Sequence, residues 1–304
     1  YWVKVVEELR ADFPDHPIIA SIMASYTKED WQELVAKTLP SNPHAIELNL
    51  SCPHGMGERG MGQACGQNAD MVHDICSWVR EAVGPEYPFF AKLTPSVTDI
   101  RAIAEAAVAG GATGVTAINT VSSLQHIDSN GLPWPRVGSE NLTTYGGMSG
   151  NATRPMALKA ISSIAASLPD VPIMGTGGAD SADSSRQMIH AGASVVQICS
   201  SIQNEDFSVI QDYISGLQWH LYAQSRPDLR QWVGQTPPDA HASVARVKDH
   251  NLPHFGGYEV LRRKKRTEQA ASESFSQSHA TIGNRGAPPP ASSPDRAPAT
   301  VNEE

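Results

Sequence analysis

Ala45-Ile46-Glu47-Leu48-Asn49-Leu50-Ser51-Cys52-Pro53-His54, running on as Gly55-Met56-Gly57-Glu58-Arg59-Gly60-Met61-Gly62, is the stretch on which the fold turns. It opens as an apolar run of strand length and ends in polar residues and a long Gly-rich loop. Similar apolar runs recur at Ile18–Met23, Phe89–Leu93, Val115–Asn119, Pro172–Thr176 and Val195–Ser200. Amphipathic segments separate them. Thr27, with Asp30 three residues on, opens a helix over Lys28–Leu39 in the manner of a capping box. Helical stripes follow at Met71–Val79, Ile100–Ala107, Pro155–Leu168, Ser184–Ala191 and Phe207–Tyr222. Strands that alternate with helices predict parallel pairing through crossover helices. The near-continuous apolar runs predict strands covered on both faces.

The polar residues choose between architectures. Asn49, Lys92, Asn119, Thr176 and Ser200 stand at the C-terminal ends of five different runs. Convergence on one mouth from many strands is the habit of a (β/α)8 barrel of the TIM type. A doubly wound dinucleotide-binding sheet would carry G-x-G-x-x-G after its first strand, and that is not found there. The expectation is an α/β chain forming an incomplete barrel of about six β/α units, two strands short of closure.

Composition narrows the function classes. The 304 residues carry a net charge of −9, which argues against a nucleic-acid grip, and no run of about 18 apolar residues offers a membrane span. The cysteines Cys52, Cys65, Cys76 and Cys199 form no C-x-x-C pair, so neither structural zinc nor an iron–sulfur cluster is expected and no metal site is assigned. No leader precedes the first strand signal, which predicts reduced thiols and a cytoplasmic protein. Tyr1 in place of Met suggests an excerpt of something longer. The domains expected are a barrel over 1–225, an extension over 226–266 and a disordered Ala/Ser/Pro-rich tail over 267–304. The basic run Arg262–Arg266 reads as a solvated helix end or an anion-binding or localisation signal.

The chemistry gathers at the strand ends. Side-chain amides suit a planar polar ring because each offers a donor and an acceptor. Cys52, at the start of the long loop, could act as acid or nucleophile, or be a buried filler. His54 beside it could tune the thiol or be incidental; Cys76 falls near an apolar stripe and reads as core, and Cys65 receives no role. Lys92 predicts an anionic or electron-rich ligand, with an ion pair to Glu47 on the neighbouring strand as the alternative. Thr176-Gly177-Gly178 and Cys199-Ser200-Ser201 follow consecutive strands, where barrels cradle phosphates on backbone N–H groups, and Tyr145–Gly150 adds a third glycine segment. A phosphorylated cofactor is the inference.

Together these motifs carry a resemblance. Residues 49–62, Phe89–Pro95, Asn119–Val121, Tyr145–Gly150, Thr176–Gly178 and the Phe-Gly-Gly-Tyr ending at Tyr258 resemble the dihydropyrimidine dehydrogenase family over most of the chain. The resemblance implies an FMN barrel that reduces the 5,6 double bond of uracil and thymine. Hydride would pass from FMN to C6, and Cys52 would protonate C5. By motif, Asn49, Leu50, Ser51, Asn119 and Thr120 would line the pyrimidine. Lys92, Gly150, Thr176, Gly177, Gly178, Cys199 and Ser200 would hold FMN and its phosphate.

Full-length members resemble homodimers and also carry FAD, NADPH and iron–sulfur segments, which this sequence does not contain. The expectation is therefore that this polypeptide alone neither closes its barrel stably nor turns over NADPH. Two other readings compete. One is a dihydroorotate dehydrogenase-like FMN oxidoreductase, whose substrate bears a carboxylate; the other is a non-catalytic truncated product.

Overall fold

Six strands with helices between them form the frame that carries the site. They are β1 (Ile19–Ile22), β2 (Ala45–Asn49), β3 (Phe89–Leu93), β4 (Gly114–Ala117), β5 (Ile173–Gly175) and β6 (Val195–Val196). The computed structural model describes residues 1–51, 63–136, 139, 140, 143 and 145–225, and only the backbone of 63, 64, 221, 224 and 225. Cys52, His54, the rest of the Gly-rich loop, Phe255–Tyr258, Arg262–Arg266 and the expected extension and tail lie outside the described residues.

The strands pair in chain order and every pair is parallel. An order with no reversal has no switch point, so each crossover turns the same way and the sheet curls on itself. The fold is an incomplete (β/α)8 barrel.

Besides a single turn at Gln63–Gly66, the helices are α1 (Trp2–Asp12), α2 (Lys28–Thr38), α3 (Ala69–Val83), α4 (Ile100–Ala109), α5 (Arg154–Ser167), α6 (Ala182–Ala191), α7 (Ser200–Asn204) and α8 (Ser208–Ser225). From α2 to α6 each packs against the next, and α8 packs on α6. Local sequence explains their starts. The Thr27 side chain accepts from the Asp30 N–H and opens α2. Asn68 accepts from Asp70 and Met71 and opens α3, and Ser181 with Ser184 completes a capping box on α6.

Alternation along the strands separates core from site. Ile46, Leu48, Phe89, Ala91 and Leu93 are fully buried towards the helices, where they meet Trp31, Val35, Val72, Ile75, Cys76 and Val79. Each such large apolar side chain contributes about 1.5–3 kcal/mol by leaving water. The intervening positions point into the concave side. The registers Asn49↔Lys92, Lys92↔Thr116 and Thr116↔Met174 set those residues in rows across it.

Three details depart from the sequence reading. The helix α1 forms where no element was expected; none of its side chains is buried, so it leaves no core stripe to read. The sixth run forms a strand only over Val195–Val196, and Ser200 begins α7 instead of ending the strand. The fourth strand stops at Ala117, which puts Asn119 in the loop beyond it. That loop leads to Val121–Ser123, antiparallel to Gly146–Met148, which brings Met148 and Ser149 back to the mouth of the barrel.

Candidate active site

At the C-terminal ends of the strands lies an open cavity of about 720 Å³. Its floor is a closed polar network. The Lys92 ammonium on β3 donates to Glu47 Oε1 on β2 (3.1 Å) and to Gln197 Oε1 just past β6 (3.3 Å). The other carboxylate oxygen of Glu47 accepts from Thr116 Oγ1 on β4 (3.0 Å) and from Gln197 Nε2 (2.8 Å). The Glu47 side chain is 7% exposed, a depth at which a carboxylate needs its partners. Lys92 and Gln197 both reach the cavity wall.

Beside this floor stand two amides. Asn119 Nδ2 donates to Asn49 Oδ1 at 3.0 Å, and the Asn119 oxygen accepts from the Thr120 N–H at 2.7 Å. The buried Ser51 hydroxyl has no hydrogen-bond partner among the described residues.

The opposite rim is built mostly of backbone. Gly150, Gly177 and Gly178 have φ of +81°, +115° and +80°. A Cβ on Gly178 would stand 2.9 Å from the Gly150 oxygen and 3.0 Å from the Arg154 nitrogen, so only glycine lets these two loops touch. Ser200 Oγ lies 3.0 Å from Ser149 Oγ across the rim. Asp180 also lines the cavity, but its carboxylate accepts from Arg154 at 2.6 Å.

The structure thus gathers Lys92, Asn119, Thr120, Gly150 and Thr176 around one cavity. Gly177, Gly178, Cys199 and Ser200 complete the set. Asn49 joins it through its bond to Asn119. Leu50 does not face the cavity: its side chain is 1% exposed within the hydrophobic core. The ion pair of Lys92 with Glu47, held as the alternative to a ligand contact, is present in a side chain that also lines the cavity.

Gln197 and Thr116 escaped the sequence reading. The signal for Gln197 was a polar residue inside an apolar run, outweighed there by the more conspicuous Cys199-Ser200-Ser201. Cys65 and Cys76 are core. Burial pushes their thiols up to about 11 and about 12, which leaves them protonated and unreactive at neutral pH.

The chain is similar to known proteins over most of its length. Residues 2–221 match the dihydroorotate dehydrogenase family. The chain belongs to that family. Its enzymes are FMN-dependent oxidoreductases of the dihydroorotate and dihydropyrimidine dehydrogenase type.

Among relatives of this dihydroorotate dehydrogenase family chain is the chloroplastic dihydropyrimidine dehydrogenase (NADP(+)) of Arabidopsis thaliana. It is 32% identical over 279 residues, 89% of this chain and 61% of the relative. The NAD-dependent dihydropyrimidine dehydrogenase subunit PreA of Escherichia coli K12 is 34% identical over 76% of this chain and 56% of its own length. The chain therefore spans less than two thirds of the length of these two relatives. The catalytic subunit of dihydroorotate dehydrogenase B (NAD(+)) of Pyrococcus abyssi is 35% identical over 77% of this chain and 73% of its own. In fold, the chain resembles the crystal structure of DHODH in complex with ferulenol from Eimeria tenella. The TM-score is 0.58 at 22% identity, over 75% of this chain and 65% of that one.

The cavity of this dihydroorotate dehydrogenase family member suits FMN in its donor set. Its volume lies inside the range of about 300–1,000 Å³ usual for cofactor and ligand sites. An ammonium and side-chain amides stand at one end for a polar ring. At the other, the Gly150–Gly178 contact and the serines Ser149 and Ser200 leave backbone and hydroxyl donors for an anion.

Proposed function

We propose that this chain carries the pyrimidine-reducing site of a dihydropyrimidine dehydrogenase. It would reduce the 5,6 double bond of uracil and thymine with electrons taken from reduced FMN; in the family these come from NADPH through FAD and iron–sulfur segments that this sequence does not contain. The observation that carries this reading is the charge balance of the cavity. Among the described residues lining it, Lys92 is the one cation and Glu47 beneath it matches its charge, while the lining carboxylates Asp180, paired with Arg154, and Glu205 add no positive charge to hold a substrate carboxylate. Asn119 and Thr120, which also line the cavity, and the Asn49 amide bonded to Asn119 are neutral donors and acceptors suited to an uncharged ring.

FMN, when bound, supplies the hydride that reaches C6 of the ring. In this reading Lys92 contacts the flavin ring, while Gly150, Thr176, Gly177, Gly178, Cys199 and Ser200 hold its ribityl phosphate. Asn49, Ser51, Asn119 and Thr120 orient the pyrimidine, and the thiol of Cys52 donates the proton that C5 takes up. Leu50 supports them from the core rather than touching substrate.

A second reading, oxidation of dihydroorotate, is favoured by the larger share of the Pyrococcus abyssi relative that the chain covers. Mixing anaerobically reduced, FMN-loaded protein with uracil or with orotate separates the two. Return of the oxidised flavin absorbance with uracil and not with orotate is expected; the reverse would overturn the proposal. Replacing Cys52 by Ala should slow the uracil step by about 10²–10⁴-fold, the usual weight of a general acid, with FMN affinity unchanged.

A further inference from the structure

The floor network holds a charge that the proposed reaction does not use, the Glu47 carboxylate. Three strands and the residue just past a fourth contribute to it. Glu47 comes from β2, Lys92 from β3, Thr116 from β4, and Gln197 follows β6. An ammonium has three N–H donors; Glu47 and Gln197 accept two of them, which leaves one for a ligand in the cavity. The Gln197 amide is oriented by its neighbours, since the reverse orientation would set its NH2 against the ammonium and its oxygen against the carboxylate. Its backbone N–H also donates to the Gly175 oxygen at 2.8 Å, which ties it to β5.

We propose that Glu47, clamped by Gln197 and Thr116, is a positioning residue that fixes the Lys92 ammonium at the cavity floor and offsets its charge, so that it sets the balance between the oxidised and reduced forms of the flavin bound there. The proposal rests on the FMN reading above. A reduced flavin ring bears more negative charge than an oxidised one, so a bare ammonium beside it favours reduction. With Glu47 in contact, the floor carries no net charge and that preference is held down. Removing the carboxylate charge while keeping the shape should release it.

The test uses the full chain and free FMN, with dissociation constants measured anaerobically for the oxidised and the dithionite-reduced cofactor. The ratio of the two is the shift in reduction potential on binding. Glu47→Gln should move that ratio at least tenfold towards the reduced form, equivalent to about 30 mV upward for a two-electron couple. Should Glu47→Gln fail to fold, the neutral double variant Lys92→Met with Glu47→Gln carries the test. Its ratio should stay within about threefold of the parent, because the net charge of the floor is unchanged. A tenfold fall in the double variant would mean that Lys92 acts uncompensated, and would overturn the proposal. So would a folded Glu47→Gln protein whose ratio matches the parent, since a merely structural role weakens both forms alike. A parent chain that binds neither form of FMN would overturn the cofactor reading and this inference with it; an unmoved ratio in a chain that binds FMN overturns this inference alone.

Discussion

The two halves of the sheet build the cavity by different means. From β1 to β4 the strands pair over four residues at each step, whereas β4 with β5 pairs over three and β5 with β6 over two. The long-strand half supplies side chains: Glu47, Asn49, Lys92 and Thr116 project from it. The short-strand half contributes one floor side chain, Gln197, and otherwise turns, with Gly177 and Gly178 after β5 and Ser200 after β6. Chemistry on a ring needs groups fixed to within fractions of an ångström, which paired strands provide. Gripping an anion needs backbone N–H groups turned away from the ladder, which short strands leave available. Side-chain changes should therefore dominate in the first half, and backbone changes in the second.

The largest effect is expected at the floor. Lys92→Ala would leave the Glu47 carboxylate buried without its cation and cost about 3–5 kcal/mol in stability. Chemical denaturation would show it as a lower midpoint, and adding Glu47→Gln should restore most of the loss. An unshifted midpoint would place the strength of this half elsewhere. Next comes the rim. Gly178→Ala forces a Cβ into φ +80° and against the Gly150 oxygen, at a cost of about 1–3 kcal/mol, and should weaken FMN binding at least tenfold by parting the two loops.

Ser200→Ala removes one hydroxyl bonded to Ser149 and should cost only about 0.5–1.5 kcal/mol, felt in FMN affinity more than in stability. If the Ser200 effect equalled that of Gly178, the rim would be a side-chain site after all.

The smallest effect concerns the bracing of the long-strand half. The Tyr26 hydroxyl donates to Asp74 on α3 at 2.6 Å, and this bond pushes the phenol from 10.0 up to about 12. A raised folded value means the bond stabilises fully below pH 10 and is lost as pH rises through 12. The stability advantage over Tyr26→Phe should thus be constant near neutrality and shrink between those limits, as read from denaturation at pH 8 and pH 11. An advantage independent of pH would remove the bond as its cause.

Much of the frame could be read directly from the chain. Phe89–Leu93 is a strand residue for residue, because five apolar or strand-ending positions lie between a proline turn and a helix cap. The cap at Thr27 also formed where expected. The helix over Trp2–Asp12 was not legible: it has no side-chain cap and buries nothing, so it lacks both signals that mark a helix in a sequence. The site was legible as a set of strand ends, but not as a network. Glu47 stood out as a charge within an apolar run, yet its partner Gln197 lies 150 residues away.

Legible along the chain are the order of the six strands and of the main helices that connect them, the parallel pairing, and the polar residues at or just beyond the strand ends. All of these follow from periodicity and from residues that act on their own neighbours. That Lys92 is charge-matched, that Leu50 turns to the core, and that Gly150 and Gly178 share a rim emerges only in the folded chain. Those outcomes depend on which side chains the curled sheet brings within 3–4 Å, and distance across a barrel leaves no trace in local spacing.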